Sequence, residues 1–261
     1  MKTRIYQVDA FTFDLFGGNP AAIVPLEEWL SDELMQNIAA ENNLSETAFF
    51  VPEGDGYRLR WFTPVVEVDL CGHATLATAH ILFEELGYDK DEIIFKTKSG
   101  LLTVSREGDR LLMDFPAVDM PKVEAPAMLF QALGINPTPE VYKTDDYMVV
   151  LKSESAVFGL DPDFRLLGEV NARGIIVTAP GDEVDFVSRF FAPQSGIDED
   201  PVTGSAYTKT TPYWSKKLGK HELEARQISK RKGNLTCRIK KDRVEILGKA
   251  VTFMKGEITF V

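Results

Sequence analysis

Asp69-Leu70-Cys71-Gly72-His73-Ala74 and Asp200-Pro201-Val202-Thr203-Gly204-Ser205-Ala206 are two versions of one signal: an acid, a glycine-containing turn, then a helix-length segment. Each is preceded by a matching string, Arg60-Trp61-Phe62-Thr63-Pro64 before the first and Arg189-Phe190-Phe191-Ala192-Pro193 before the second. Each helix-length segment closes on Leu-Gly, at Leu86-Gly87 and Leu218-Gly219. The glycine-to-glycine distance is therefore 87 − 72 = 15 in one copy and 219 − 204 = 15 in the other. Four matches in the same order mark a duplicated structural unit. They predict two similar halves related by a pseudo-twofold axis.

The segment Ala74–Phe83 holds only Ala, Thr, Leu, His, Ile and Phe. A helix that is apolar nearly all round is a buried one. Strand patterns flank it: Ile5-Tyr6-Gln7-Val8-Asp9-Ala10-Phe11, Ala21–Val24, Leu44–Val51 and Tyr57–Phe62 before it, then Ile93–Lys96, Leu101–Arg106 and Leu111–Phe115 after it. Ser31 caps an amphipathic helix that ends near Asn42-Asn43. The expected class is α+β, with each half a curved sheet or barrel around a central helix. In the second half, strands are expected near Tyr147–Lys152 and Gly174–Thr178, with one helix around Ala127–Leu133 and another after Gly204. That last helix carries Lys209, three threonines and Pro212. A kink is expected there, because proline lacks the N–H and crowds the preceding turn. Pro116, Pro121 and Pro126 punctuate a stretch with little periodicity, which places the domain junction and gives domains 1–117 and 118–261.

The chain has 261 residues, 44% hydrophobic and 26% charged, the composition of a folded globular protein. Lysine plus arginine number 29 and aspartate plus glutamate 40, so the net charge is 29 − 40 = −11. Such an acidic chain is a poor partner for nucleic acid, whose binding rests on neutralising phosphates. Lys216–Arg243 reverses the sign, with eleven basic and three acidic residues. It lacks interleaved aromatics and reads as a solvated face. No run approaches the roughly 18 apolar residues of a membrane span. Met1-Lys2-Thr3-Arg4 enters a strand pattern with no apolar leader core, so a cytoplasmic location is expected. Cys71, Cys237 and the histidines at 73, 80 and 221 show no ligand spacing, so no metal site is expected. Cys237 alternates with Leu235 and Ile239, as a core cysteine in a strand does.

Helix starts at glycine turns present unpaired N–H groups that suit a metabolite carboxylate. Gly72 and Gly204 mark two such starts, although ordinary capped turns would give the same letters. Glu46, in Leu44-Ser45-Glu46-Thr47-Ala48-Phe49-Phe50, shares a strand face with Leu44, Ala48 and Phe50. A carboxylate on an apolar face is desolvated, which moves its pKa toward the range useful for proton transfer. An edge glutamate turned to water is the competing reading. His73 begins the buried helix, where a neutral imidazole is favoured, either as a site residue or as a cap. Asp200 closes a run of three acids, a pattern of solvated loops that the Asp-Pro turn constrains. Ser205 can bind a carboxylate or simply cap its helix. Val202-Thr203-Gly204-Ser205-Ala206 does not have the G-x-S-x-G spacing of a hydrolase elbow.

Gly18-Asn19-Pro20, Leu44–Phe49, Asp69–Thr75, Arg189–Pro193 and Glu199–Ala206 together resemble the signature set of the phenazine-biosynthesis-protein-F-like family. The matches are ordered and span nearly the whole chain. The resemblance implies the two-domain fold of diaminopimelate epimerase, with the site in the cleft between domains, a homodimer and no cofactor. The family's characterised isomerase acts on trans-2,3-dihydro-3-hydroxyanthranilate, with one glutamate moving a proton between ring carbons. By motif position that glutamate is Glu46, supported by His73 and Asp200. Ser205 corresponds to the carboxylate-binding serine, and Gly72, Gly204 and Asn19 complete the pocket. Tyr207-Thr208-Lys209 and Lys232 depart from the family pattern and bear on the substrate. Two other functions remain open: a two-thiol epimerase using Cys71, for which the second repeat supplies no cysteine, and a metabolite-binding protein that has lost the reaction.

Overall fold

In the computed structural model, which describes residues 2–136 and 139–260, the alternating N-terminal stretch forms the strand Lys2–Ala10. It pairs antiparallel with Asn19–Pro25 on one side and Ala250–Thr259 on the other. Asn19–Pro25 pairs parallel with Glu46–Glu53, which pairs antiparallel with Gly56–Phe62. Gly56–Phe62 then pairs parallel with Glu92–Thr97, and that strand antiparallel with Gly100–Glu107. The helix Gly72–Glu84 packs against the strands around Lys2–Ala10 and Asn19–Pro25. Ten of its residues are buried, from His73 to Phe83. Its threonines stay satisfied by bonding back one turn, Thr75 to the Cys71 carbonyl at 2.6 Å and Thr78 to the Ala74 carbonyl at 2.7 Å. A second helix, Asp32–Asn42, is capped by Ser31. It buries Met35 and Ala39 among Ile5, Val24, Phe49 and Phe62.

The chain folds as two compact units, residues 1–114 with 246–261, and residues 115–245. The first crossing lies at the proline-punctuated stretch read as the junction. The C-terminal segment does not stay in the second unit, as the boundary 118–261 requires. Ala250–Thr259 returns to the first, because its partner is Lys2–Ala10, paired from Lys2↔Thr259 to Ala10↔Ala250 with one register shift between Gln7 and Val8. That pairing is non-local and leaves no mark in the local sequence pattern.

In the second unit Glu140–Lys143 pairs antiparallel with Asp146–Val150, and that strand parallel with Gly174–Pro180. Gly174–Pro180 pairs antiparallel with Phe186–Ala192, which pairs parallel with Glu222–Gln227, itself antiparallel to Gly233–Lys240. The order antiparallel, parallel, antiparallel, parallel, antiparallel repeats that of the first unit from Lys2–Ala10 to Gly100–Glu107. The duplication read from the glycine turns is thus a duplication of strand topology. The helix Gly204–Leu218 takes the place of Gly72–Glu84. It continues through Pro212 as one element. The Thr208 carbonyl, which Pro212 cannot serve, accepts the Val118 N–H at 2.9 Å. Three short helices, Ala127–Leu133, Glu154–Phe158 and Phe164–Leu167, contribute to a core with Val149, Ile175, Val177 and Phe191. Cys237 is fully buried in its strand, as its alternation implies.

The repeated arginines explain why each copy begins with that residue. Arg60 grips Glu67 with Nε to Oε1 at 2.7 Å and Nη2 to Oε2 at 2.9 Å. Arg189 grips Glu199 through the same atoms at the same two distances. Each guanidinium also lies over the ring two residues on, Phe62 at 5.1 Å and Phe191 at 4.9 Å. Glu199 is therefore a clamp residue of the repeat, while neighbouring Asp198 is exposed.

Candidate functional site

The first unit brings together Asn19, Glu46, Gly72 and His73. Glu46 opens the strand Glu46–Glu53 opposite Ala21 of its parallel neighbour. Two residues before Ala21 on that neighbour is Asn19, fully buried. The turn that delivers Asn19 requires glycine at position 18. Gly18 has φ +58°, and a Cβ there would lie 2.0 Å from the Ala10 carbonyl oxygen. Gly72 is the first residue of its helix, and Cys71, the cap, makes no side-chain capping bond.

His73 is the hub. Its Nδ1 lies 3.2 Å from Asn19 Nδ2 and 3.5 Å from Cys71 Sγ. An amide nitrogen only donates, so Nδ1 accepts and the ring proton sits on Nε2. Nε2 is 3.2 Å from Glu46 Oε2, a close approach rather than an aligned hydrogen bond. Burial pushes the His73 pKa down to about 3, so the ring is neutral at working pH. Neutrality agrees with the sequence reading, but its cause is desolvation. The Glu46 side chain keeps 13% of its surface exposed, while its Oε2 is buried. Glu46, Cys71 and His73 each bring a potential ligand atom within 4.8 Å of the other two. The absence of ligand spacing did not foresee this cluster, because Glu46 comes from a strand distant in sequence.

The second unit brings together Asp200, Gly204 and Ser205. Asp200 ends the short strand Ile197–Asp200, half-buried, and accepts a short hydrogen bond from the Thr203 hydroxyl. Its run of acids is therefore not a uniformly solvated loop. Gln227, fully buried, ties the turn at both ends. Its Oε1 accepts the Thr203 N–H at 2.9 Å and its Nε2 donates to the Asp200 carbonyl at 2.7 Å. Thr203 caps the Gly204 helix with backbone alone. Ser205 Oγ accepts Arg173 Nη2 at 3.2 Å, which leaves the hydroxyl proton available to an acceptor.

Behind Ser205 lies a charge network that sequence reading did not assemble. Asp146, with no exposed side-chain surface, accepts short bonds from Arg173 and from Lys209, whose side chain is 4% exposed. Asp145 pairs with Lys209 at 2.6 Å and Arg173 at 3.1 Å. Burial pushes the Asp145 carboxyl up, but Lys209 and Arg173 outweigh it and hold the group well below the usual carboxylate range. The available signal was a lysine in a buried helix, four residues after Ser205. Lys209 thus turns inward, tied to Asp146, and Tyr207 is buried with its hydroxyl 3.1 Å from Ser188 Oγ.

The model of the phenazine biosynthesis-like protein family matches residues 8–256. The chain belongs to the phenazine biosynthesis-like protein family. Within the family it is 53% identical over 258 residues to an uncharacterized isomerase of Pseudomonas aeruginosa, with 99% of each chain covered. The crystal structure of a family protein from Enterococcus faecalis superposes with a TM-score of 0.97 at 47% identity, over all of both chains. A probable proline racemase of Agrobacterium radiobacter shares the fold alone, with a TM-score of 0.64 at 9% identity, over 99% of this chain and 93% of the other. The α+β fold is therefore shared with that racemase, and the chain is an enzyme of an isomerase family. Among the described residues no helix is long and apolar enough to cross a membrane.

Proposed function

We propose that the chain is a cofactor-independent isomerase that moves one proton between two carbons of a small, carboxylate-bearing, cyclic metabolite. The supporting observation is the Glu46–His73 pair: a mostly buried carboxylate 3.2 Å from a neutral imidazole nitrogen that carries its proton. In the first step the Glu46 carboxylate takes a proton from an acidic carbon, and the electron pair delocalises into the ring. In the second, the protonated Glu46 returns that proton to another carbon of the same system. His73 presents Nε2–H to the carboxylate at 3.2 Å, and its neutrality places no positive charge beside it. Asn19 fixes the ring through Nδ1. Asp200 acts as supporting acid, held by Thr203 and Gln227. Gly72 in the first unit, and Gly204 with Ser205 in the second, each present N–H or O–H donors suited to an anionic group. The working form is a cytoplasmic homodimer that takes small molecules and neither nucleic acid nor membrane as partner.

One alternative has a specific observation behind it, since the Cys71 thiol touches the same imidazole at 3.5 Å. A two-base epimerase needs a second thiol, and burial in the strand pushes Cys237 up to about 12, far from ready deprotonation. The test is deuterium incorporation into a panel of small cyclic carboxylates, a dihydro-hydroxyanthranilate among them. The shuttle loses incorporation in Glu46→Gln and keeps it in Cys71→Ala. The thiol mechanism gives the reverse. A retired enzyme binds a ligand measurably and exchanges nothing.

A further inference from the structure

We propose that Glu46, Cys71 and His73 form a binding site for a thiophilic divalent cation of the Zn2+ class. Occupancy of the site blocks Glu46; that second clause rests on the isomerase reading, while the binding site rests on geometry alone. The donors are a carboxylate oxygen, a thiolate sulfur and an imidazole nitrogen, the set that zinc selects, whereas Mg2+ and Ca2+ prefer oxygen throughout. All three ligand atoms lie within 4.8 Å of one another. Zinc–ligand bonds of about 2.0–2.3 Å imply tetrahedral edges of about 3.3–3.8 Å, so even a 4.8 Å separation closes on the ion by about 1–1.5 Å. One edge is already in place, Glu46 Oε2 to His73 Nε2 at 3.2 Å.

The ligands stand on firm supports. Glu46 begins a strand, Cys71 caps a helix and His73 is the second residue of that helix. With the metal on Nε2, the ring proton moves to Nδ1. Asn19, whose amide nitrogen now faces Nδ1 at 3.2 Å, turns its amide over to present the oxygen, the outer partner that metal-bound histidines use. Cys71, whose Sγ faces Nδ1 at 3.5 Å in the metal-free site, swings toward the ion on Nε2 and binds as thiolate, so one proton passes to solvent for each ion bound. Three protein ligands leave a fourth position for water, the arrangement of an accessible zinc site rather than a closed structural one. A metal here holds the lone pair that Glu46 needs to accept a carbon-bound proton, so cation and catalysis exclude each other.

Co2+ is the probe, added to the intact chain after treatment with a chelator. The expected result is one Co2+ per chain, with tetrahedral visible bands and a near-ultraviolet thiolate charge-transfer band that Zn2+ abolishes. The charge-transfer band disappears in Cys71→Ala and persists in Cys237→Ser, with folding followed by circular dichroism. Asn19→Ala binds about 10–100-fold more weakly. A band that is absent at saturating Co2+, or that survives Cys71→Ala, overturns the site whatever the fate of the isomerase reading. Deuterium exchange by the wild type is then measured with Zn2+ and after chelation. Inhibition reversed by the chelator supports the exclusion of catalysis, and exchange unaffected by Zn2+ on a protein that shows the band overturns that clause alone.

Discussion

Gln227 receives the Thr203 backbone N–H at 2.9 Å while donating to the Asp200 carbonyl at 2.7 Å, so one fully buried amide fixes the turn that carries Asp200. Gln227→Ala strands a buried donor and a part-buried acceptor, worth up to about 1–3 kcal/mol each. The expected loss is about 2–4 kcal/mol in denaturant unfolding. A loss below about 0.5 kcal/mol would show that the turn holds itself.

Arg60–Glu67 and Arg189–Glu199 are the same clamp built twice, with three of the four side chains less than 19% exposed and Glu199 at 19%. Charge-assisted hydrogen bonds of this kind contribute about 1.5–3 kcal/mol. Glu67→Gln and Glu199→Gln are each expected to destabilise by about 1–3 kcal/mol, by similar amounts. A large effect in one copy and none in the other would show that the duplicated geometry is not matched by duplicated energetics.

Lys209 and Asp146 are buried together, and Lys209→Met leaves Asp146 with Arg173 as its remaining cation. Removing one partner of a buried pair typically costs about 3–5 kcal/mol. The loss is expected to shrink in Lys209→Met/Asp146→Leu, because no buried charge is then left behind. Equal losses in the single and double variants would contradict that coupling.

Burial lowers the pKa of His73 to about 3 and also lowers that of His80, against the opposing carboxylates of Glu84 and Glu85. A base with a lowered folded pKa makes the unfolded chain bind more protons below about 6.5, so stability is complete above that pH and falls with acidification. The window for His73 runs from about 6.5 down to about 3. Its slope approaches about 1.4 kcal/mol per pH unit. His73→Asn should flatten the stability profile between pH 6.5 and about 5.5, above the range in which ordinary carboxylates titrate. An unchanged slope would mean that His73 titrates normally in the fold.

The duplication was legible because glycine turns and helix lengths are local: Gly72, Gly87, Gly204 and Gly219, together with the matching strings that begin at Arg60 and Arg189, announced two like units. Glu46 and His73 were legible through motif resemblance. The Glu46–Cys71–His73 cluster was not, since it depends on bringing a strand against a helix start. Nor was the return of Ala250–Thr259 to the first unit, because strand partners are chosen by tertiary packing. Arg173, Asp146 and Gln227 escaped for the same reason, each lying more than twenty residues in sequence from the site residue it supports.

The central claim is that Glu46 carries the proton. The most direct measurement is solvent deuterium incorporation into a dihydro-hydroxyanthranilate-type carboxylate by the wild type, Glu46→Gln and Cys71→Ala, with folding checked for each. The account predicts a fall of about 10²–10⁴-fold in Glu46→Gln, the usual contribution of a positioned acid/base, and retained exchange in Cys71→Ala. Exchange that survives in Glu46→Gln and vanishes in Cys71→Ala would contradict it.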